Sequence, residues 1–152
     1  MGLTMTDQPA YDTICLPRTG SAAITFRGRL LAHSQPGEDV VRWHVLQLYA
    51  IEGGGYVIAI VYGTRWRKEL GREDVYVVGD DPSAVTRALE LHDPTAAVQG
   101  YPPDARYAEK QRRLLRDIRA RYQVQVSDLL WQVDITVRPC DLSPATKATF
   151  PA

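Results

Sequence analysis

Cysteine is scarce in this chain. There are two in 152 residues, Cys15 and Cys140, each near a proline and near one end. That number excludes a disulfide scaffold and supplies too few thiolates for a structural zinc site; free thiols in a reducing cytosol are expected, with a single disulfide joining the two tails as the alternative. Net charge is absent: 18 Lys and Arg balance 18 Asp and Glu. No global field therefore draws the chain to nucleic acid or to a membrane, and any such affinity has to come from a local patch. No apolar run approaches the roughly 20 residues that span a bilayer. Residues 1–12 carry neither the basic start nor the apolar core of a secretion signal, so the expected setting is cytoplasmic, with no membrane. Internal repeats are lacking too, which excludes solenoids and propellers.

What remains is an ordinary globular composition, 45% apolar and 24% charged, in a length suited to one domain. Residues 1–21 hold Pro9, Pro17 and several Gly, Ser and Thr without a period, and read as a flexible N-terminal arm. From Ala22, Ile24, Phe26, Leu30 and Ala32 alternate with Thr25, Arg27 and Arg29, the period of a half-buried strand. Gly28 interrupts it, which fits a bulge or a close neighbour. Val40–Ile51 and Tyr56–Tyr62 flank Gly53-Gly54-Gly55 as a hairpin. The second of these strands is apolar on both faces. One face suits helices; the other needs a second cover, such as a partner subunit.

Thr64–Arg72 is a charged connector around Trp66, and Asp74–Gly79 a short strand. Asp81 with Pro82 is the start signal of a helix whose inner face is Val85, Ala88, Leu89 and His92. After a Pro/Gly-rich loop, Asp104 caps a long helix with Tyr107, Gln111, Leu114, Leu115, Ile118 and Tyr122 inside. Leu129–Arg138 alternates as a fifth strand ended by Pro139, and residues 139–152 read as a flexible tail. The order β-β-β-β-α-α-β predicts an α+β fold in residues 22–138, a mostly antiparallel sheet with two helices on one face.

No constellation calls for catalysis, a metal or a cofactor. His33, His44 and His92 are scattered, without acidic or cysteine neighbours at ligand spacing. The triple glycine joins two strands and no Lys-Ser/Thr follows it, so it is a turn, not a phosphate loop. Asp104, Glu109 and Lys110 echo a nuclease pattern, but metal-assisted hydrolysis wants the Glu and Lys one residue apart on a strand, not adjacent on a helix. Glu73-Asp74 and Asp80-Asp81 could meet a metal at a sheet edge; turn and cap duty explains them more cheaply.

One surface is basic. Lys110, Arg112, Arg113, Arg116, Arg119 and Arg121 surround the apolar stripe of the long helix, opposed locally by Glu109 and Asp117. Arg112, Arg116 and Arg119 make a row at i, i+4 and i+7 that could track phosphates. Arg65, Arg67 and Lys68 enclose Trp66, a stacking ring beside charge. Trp43, Tyr49, Tyr62 and Trp66 with arginines are also the residue types that anchor protein interfaces. The expectation is a non-enzymatic binding protein with a protein partner or a homodimer. The alternative is a nucleic-acid binder using Arg65, Trp66, Arg67, Lys68, Arg112, Arg116 and Arg119.

Three segments share a family pattern: Phe26-Arg27-Gly28-Arg29-Leu30-Leu31-Ala32, the hairpin Leu46–Tyr49 with Gly54–Val57, and Trp131-Gln132-Val133-Asp134-Ile135. Together they resemble the EXLDI family of small bacterial proteins, whose F-x-G-x-L-L strand precedes an aromatic hairpin and whose chain closes on an acidic-x-Leu-Asp-Ile ending. Gln132-Val133 replaces part of that ending, and the family's N-terminal ribbon-helix-helix-like segment has no counterpart in residues 1–21. The resemblance implies a bacterial accessory protein of the kind found on mobile elements, and it transfers no site residue.

Overall fold

The two-residue alternation becomes a meander in which each strand pairs antiparallel with the next. The structure, a computed structural model, describes residues 10–37 and 40–133. Strands β1 (Asp12–Arg18), β2 (Ser21–Ser34), β3 (Arg42–Ile51), β4 (Tyr56–Thr64) and β5 (Arg72–Val78) lie in that order across one sheet. Helix α1 (Pro82–Leu91), a short 3-10 turn (Ala105–Tyr107) and helix α2 (Ala108–Val133) follow. The α+β class, the antiparallel sheet and its two helices are as the sequence predicts, but the order of the described elements is β-β-β-β-β-α-α, not β-β-β-β-α-α-β.

The β3–β4 hairpin turns on Gly53, Gly54 and Gly55, all at positive φ, where side chains with a Cβ are strained. Asp80 accepts the Gly55 N–H, and Asp81 caps α1 by accepting from Ser83 N–H at 3.0 Å. Leu46, Leu48, Ile58 and Ile60 form the sheet side of the main core. Val85 and Leu89 of α1, with Tyr122, Val126, Leu129 and Leu130 of α2, close it. Each of these branched side chains contributes about 1.5–3 kcal/mol by leaving water.

The other face of β4 is also buried, by the sheet itself. Val57, Ala59 and Tyr49 pack under Leu16 of β1, flanked by Ile14, Ile24, Phe26 and Val75. The sheet curls until its outer strands meet: Thr19 N–H donates to the Glu73 carbonyl at 2.9 Å, and Glu73 N–H donates to Thr19 Oγ1 at 2.8 Å. The cover assigned above to a partner subunit is thus supplied within the chain. Residues 12–18, read as part of an arm, are the strand that supplies it.

Two further readings need correction. Leu129–Val133 is the end of α2, not the start of a strand; the remainder of that segment and Cys140 lie outside the described residues. Val126, Leu129, Leu130 and Val133 also satisfy i, i+3, i+4 and i+7, and the unbroken helix upstream decides between the periods. In β2 the expected single apolar face is split. Ile24 and Phe26 face the curl, whereas Ala32 faces the helices, because the register shifts between Leu30 and Ala32. Gly28 marks a close neighbour rather than that bulge: a Cβ there would stand 2.4 Å from the Ala50 carbonyl oxygen.

Candidate functional site

Where β4 leaves the sheet, the connector doubles back. Thr64 Oγ1 accepts the Trp66 N–H at 2.9 Å, and Glu69 N–H reaches the Trp66 carbonyl at 3.1 Å. This turn points Arg65, Trp66, Arg67 and Lys68 outward and drives Glu69 inward, where its side chain is 0% exposed. A buried carboxylate is costly unless its lone pairs are filled. Here they are. Arg42 clamps it with Nη2 at 2.7 Å and Nε at 3.0 Å. Tyr62 Oη donates at 2.6 Å and Thr64 Oγ1 at 3.0 Å. The backbone N–H groups of Gln99 and Gly100 complete the shell at 3.1 and 3.0 Å. Burial alone would raise the Glu69 pKa; the hydrogen bonds from Arg42, Tyr62, Gly100 and Thr64 together overcome it and bring it down to about 2.

Those last two bonds matter for the site, because Gln99 and Gly100 belong to the loop between α1 and α2. Gln111, from the second turn of α2, ties the same loop: its Oε1 accepts Tyr101 N–H at 2.9 Å and its Nε2 donates to the Gln99 carbonyl at 3.3 Å. Pro102 and Pro103 stiffen the loop by fixing φ. Asp104 then caps the 3-10 turn through Arg106 N–H at 2.9 Å. Tyr101 and Tyr107 stack with centroids 5.9 Å apart and planes 10° from parallel.

Connector and loop face each other across an open groove of about 1160 Å³, lined by Arg65, Trp66, Arg67 and Lys68 on one side and by Tyr101, Pro102, Pro103, Asp104 and Tyr107 on the other. Trp66 is 42% exposed, and the Arg42 guanidinium lies 4.8 Å from its ring centre. Arg42 thus holds both the buried carboxylate and the ring. Glu69 sits behind both walls and fixes their separation. The groove is aromatic in its body and basic along one lip.

All four connector residues named from the sequence line this groove. Arg112, Arg116 and Arg119 are exposed on α2 and do not line it. Glu109 pairs with Arg112 and lies 3.8 Å from Arg113, so the first member of that row is already neutralised. Sequence reading missed Glu69, Tyr101, Tyr107 and Gln111. Glu69 had a signal, being the single acid between Arg65 and Arg72. The tyrosines had a weaker one, their place around Pro102-Pro103.

The histidines are less scattered than their spacing implies. His44 and His92 flank the Tyr122 ring at 5.5 and 5.7 Å, and Tyr76 Oη meets His92 Nδ1 at 2.7 Å. Burial, then the charge of His92, draws the His44 pKa down to about 4; burial lowers His92 as well. His44 Nε2 is buried with no hydrogen-bond partner among the described residues. The cluster is part of the core.

The acidic pairs have local duties. Asp80 and Asp81 hold the hairpin turn and the helix cap, Asp74 meets Arg72 at 3.0 Å, and the Glu73 backbone seals the sheet. Among the described residues no group of three or more His, Cys, Asp or Glu converges as metal ligands, and no helix is long and apolar enough to cross a membrane. Compared with protein-family models, curated proteins and solved structures, the chain finds no match.

Proposed function

We propose that this chain is a non-enzymatic accessory protein of the bacterial cytoplasm that binds a partner protein in the groove between the Arg65–Lys68 connector and the Tyr101–Tyr107 loop. One observation carries the reading: three aromatic rings and three cations share an open groove whose two walls are joined by a single buried carboxylate. Rigid aromatic side chains beside arginine are what binding hot spots are made of, and a pre-set groove loses little entropy on association. The bacterial setting rests on the resemblance to the EXLDI family.

A photo-crosslinking side chain at Lys68 tests this in living cells, with Arg116 as a second position. A discrete protein adduct from position 68 and none from position 116 is the expected result. No adduct from position 68 overturns the reading.

Nucleic-acid binding is the second reading. Arg116 and Arg119 favour it, since neither has an ion-pair partner among the described residues. It ranks behind because Arg112 is paired with Glu109 and the helix row stands apart from the groove. Anisotropy with labelled single-stranded DNA, duplex DNA and RNA at about 50 and 200 mM salt decides it: several phosphate contacts make affinity collapse at the higher salt.

A further inference from the structure

The charge balance inside the groove is more specific than its shape. Arg65, Arg67 and Lys68 have no ion-pair partner among the described residues, so their wall is uncompensated. The carboxylates nearby are already committed. Glu69 is held by Arg42 at 2.7 Å and is out of reach of solvent; Asp104 is held by Arg106 at 3.0 Å. A ligand in the groove therefore meets three free cations along one lip and no free anion on the connector.

The opposite wall is mainly aromatic and proline-rich, with Asp104 already paired to Arg106. Tyr101 and Tyr107 present nearly parallel rings beside Pro102 and Pro103, with Trp66 half-exposed across from them. An aromatic wall of this kind suits a polyproline II segment, whose pyrrolidine rings stack on aromatic faces and whose conformation is largely set before binding. We propose that the occupant of this groove is an extended, proline-containing acidic segment of the partner protein, its carboxylates on Arg65, Arg67 and Lys68 and its proline rings against Tyr101 and Trp66, with Tyr107 backing Tyr101. The proposal rests on the protein-binding reading above and adds the partner's chemistry to it.

Charge complementarity fixes the sign of the ligand, and preorganisation fixes its form. The walls cannot open independently, because Glu69 accepts hydrogen bonds from Tyr62 and Thr64 on the β4 side and from Gln99 and Gly100 on the loop side.

The probe is a fluorescein-labelled 12-residue peptide of alternating proline with aspartate or glutamate, titrated with the full chain at about 50 mM salt. Three comparison ligands accompany it: the same peptide with Asn and Gln replacing its acids, an acidic peptide spaced by glycine, and oligo(dT). Saturable binding of the acidic proline peptide is expected, weakened about tenfold by the Arg67→Glu/Lys68→Glu double variant and by neutralising the peptide. The glycine-spaced peptide is expected to bind several-fold more weakly, because it is not pre-set. Tyr107→Ala serves as a second groove variant. Arg116→Glu, outside the groove, is expected to change nothing.

Equal binding by the neutral peptide overturns the acidic assignment while the groove remains the site. Binding of the acidic peptide that ignores both groove variants overturns the groove as well. Oligo(dT) binding that depends on Arg67 and Lys68, with no peptide binding up to about 1 mM, replaces the protein ligand by nucleic acid.

Discussion

Arg42 and Glu69 form a two-pronged ion pair at 2.7 and 3.0 Å, with side chains 9% and 0% exposed, at the point where the sheet meets the groove. A buried pair of this kind is weak evidence for net stability. Breaking it is another matter, since one charge is then left uncompensated.

Glu69→Gln is therefore expected to lower unfolding free energy by about 3 kcal/mol and Tm by about 10 °C. Replacing both partners, as Arg42→Met with Glu69→Leu, is expected to cost less than the sum of the two single changes. Urea unfolding at pH 7 of the wild type, Glu69→Gln, Arg42→Met, Glu69→Leu and the double variant reads both effects. Strict additivity would mean that the pair does not act as a unit.

Acid should act in two steps. Glu69 has its pKa at about 2 in the fold against 4.5 in an unfolded chain, so its stabilisation is complete above about pH 5 and is lost as pH falls through 2. His44 lies at about 4 against 6.5, so below pH 6.5 the unfolded chain takes up a proton that the fold resists. Stability is expected to be level above pH 7 and to fall by up to roughly 3 kcal/mol between 6.5 and 4. His44→Phe should shrink that upper step to the part that His92 contributes, since burial lowers the His92 pKa as well. A slope between pH 6.5 and 4 left undiminished by the change would assign all of it to His92.

Truncation locates the domain boundary. Removing residues 1–21 strips β1 from Tyr49, Val57 and Ala59 and bares the edge of β2. The product is expected to associate, as seen by light scattering. Leu16→Ala within the whole chain is expected to cost about 2–4 kcal/mol.

Leu130 and Trp131 separate the helical reading of the last described segment from the strand reading. The helix buries Leu130 and leaves Trp131 70% exposed, while an alternating strand would put Trp131 inside with Leu129. Leu130→Ala is expected to cost about 2–4 kcal/mol and Trp131→Ala under about 0.5. The reverse ranking would restore the strand.

Legibility followed the length of the pattern. The hairpin, β5 and the start of α1 could be read because alternation, triple glycine and Asp-Pro are local signals with local causes; Asp104, expected to cap the long helix, caps the 3-10 turn that leads into it. β1 could not, because Leu16 is its one buried side chain and Pro17 argued against a strand; the strand exists because Val57 and Ala59 need a lid. The face switch in β2 was hidden for a similar reason. A bulge is a property of two strands, and only pairing with β3 shows it. Half of the groove was visible as the Trp66 connector. The other half lies more than thirty residues further on, and only the fold of Glu69 beneath Gln99 and Gly100 brings it near.

The meander also sets an order of events during synthesis. Spatial order repeats chain order, so every strand finds its partner next door and the sheet can assemble through four successive short-range hairpins. α2 emerges last. Until it docks, Leu46, Leu48, Ile58 and Ile60 have at most the cover of Val85 and Leu89 from α1 in a nascent chain whose sheet is already complete. The lag between the ribosome passing β5 and releasing α2 is the interval in which this protein most needs a chaperone's cover.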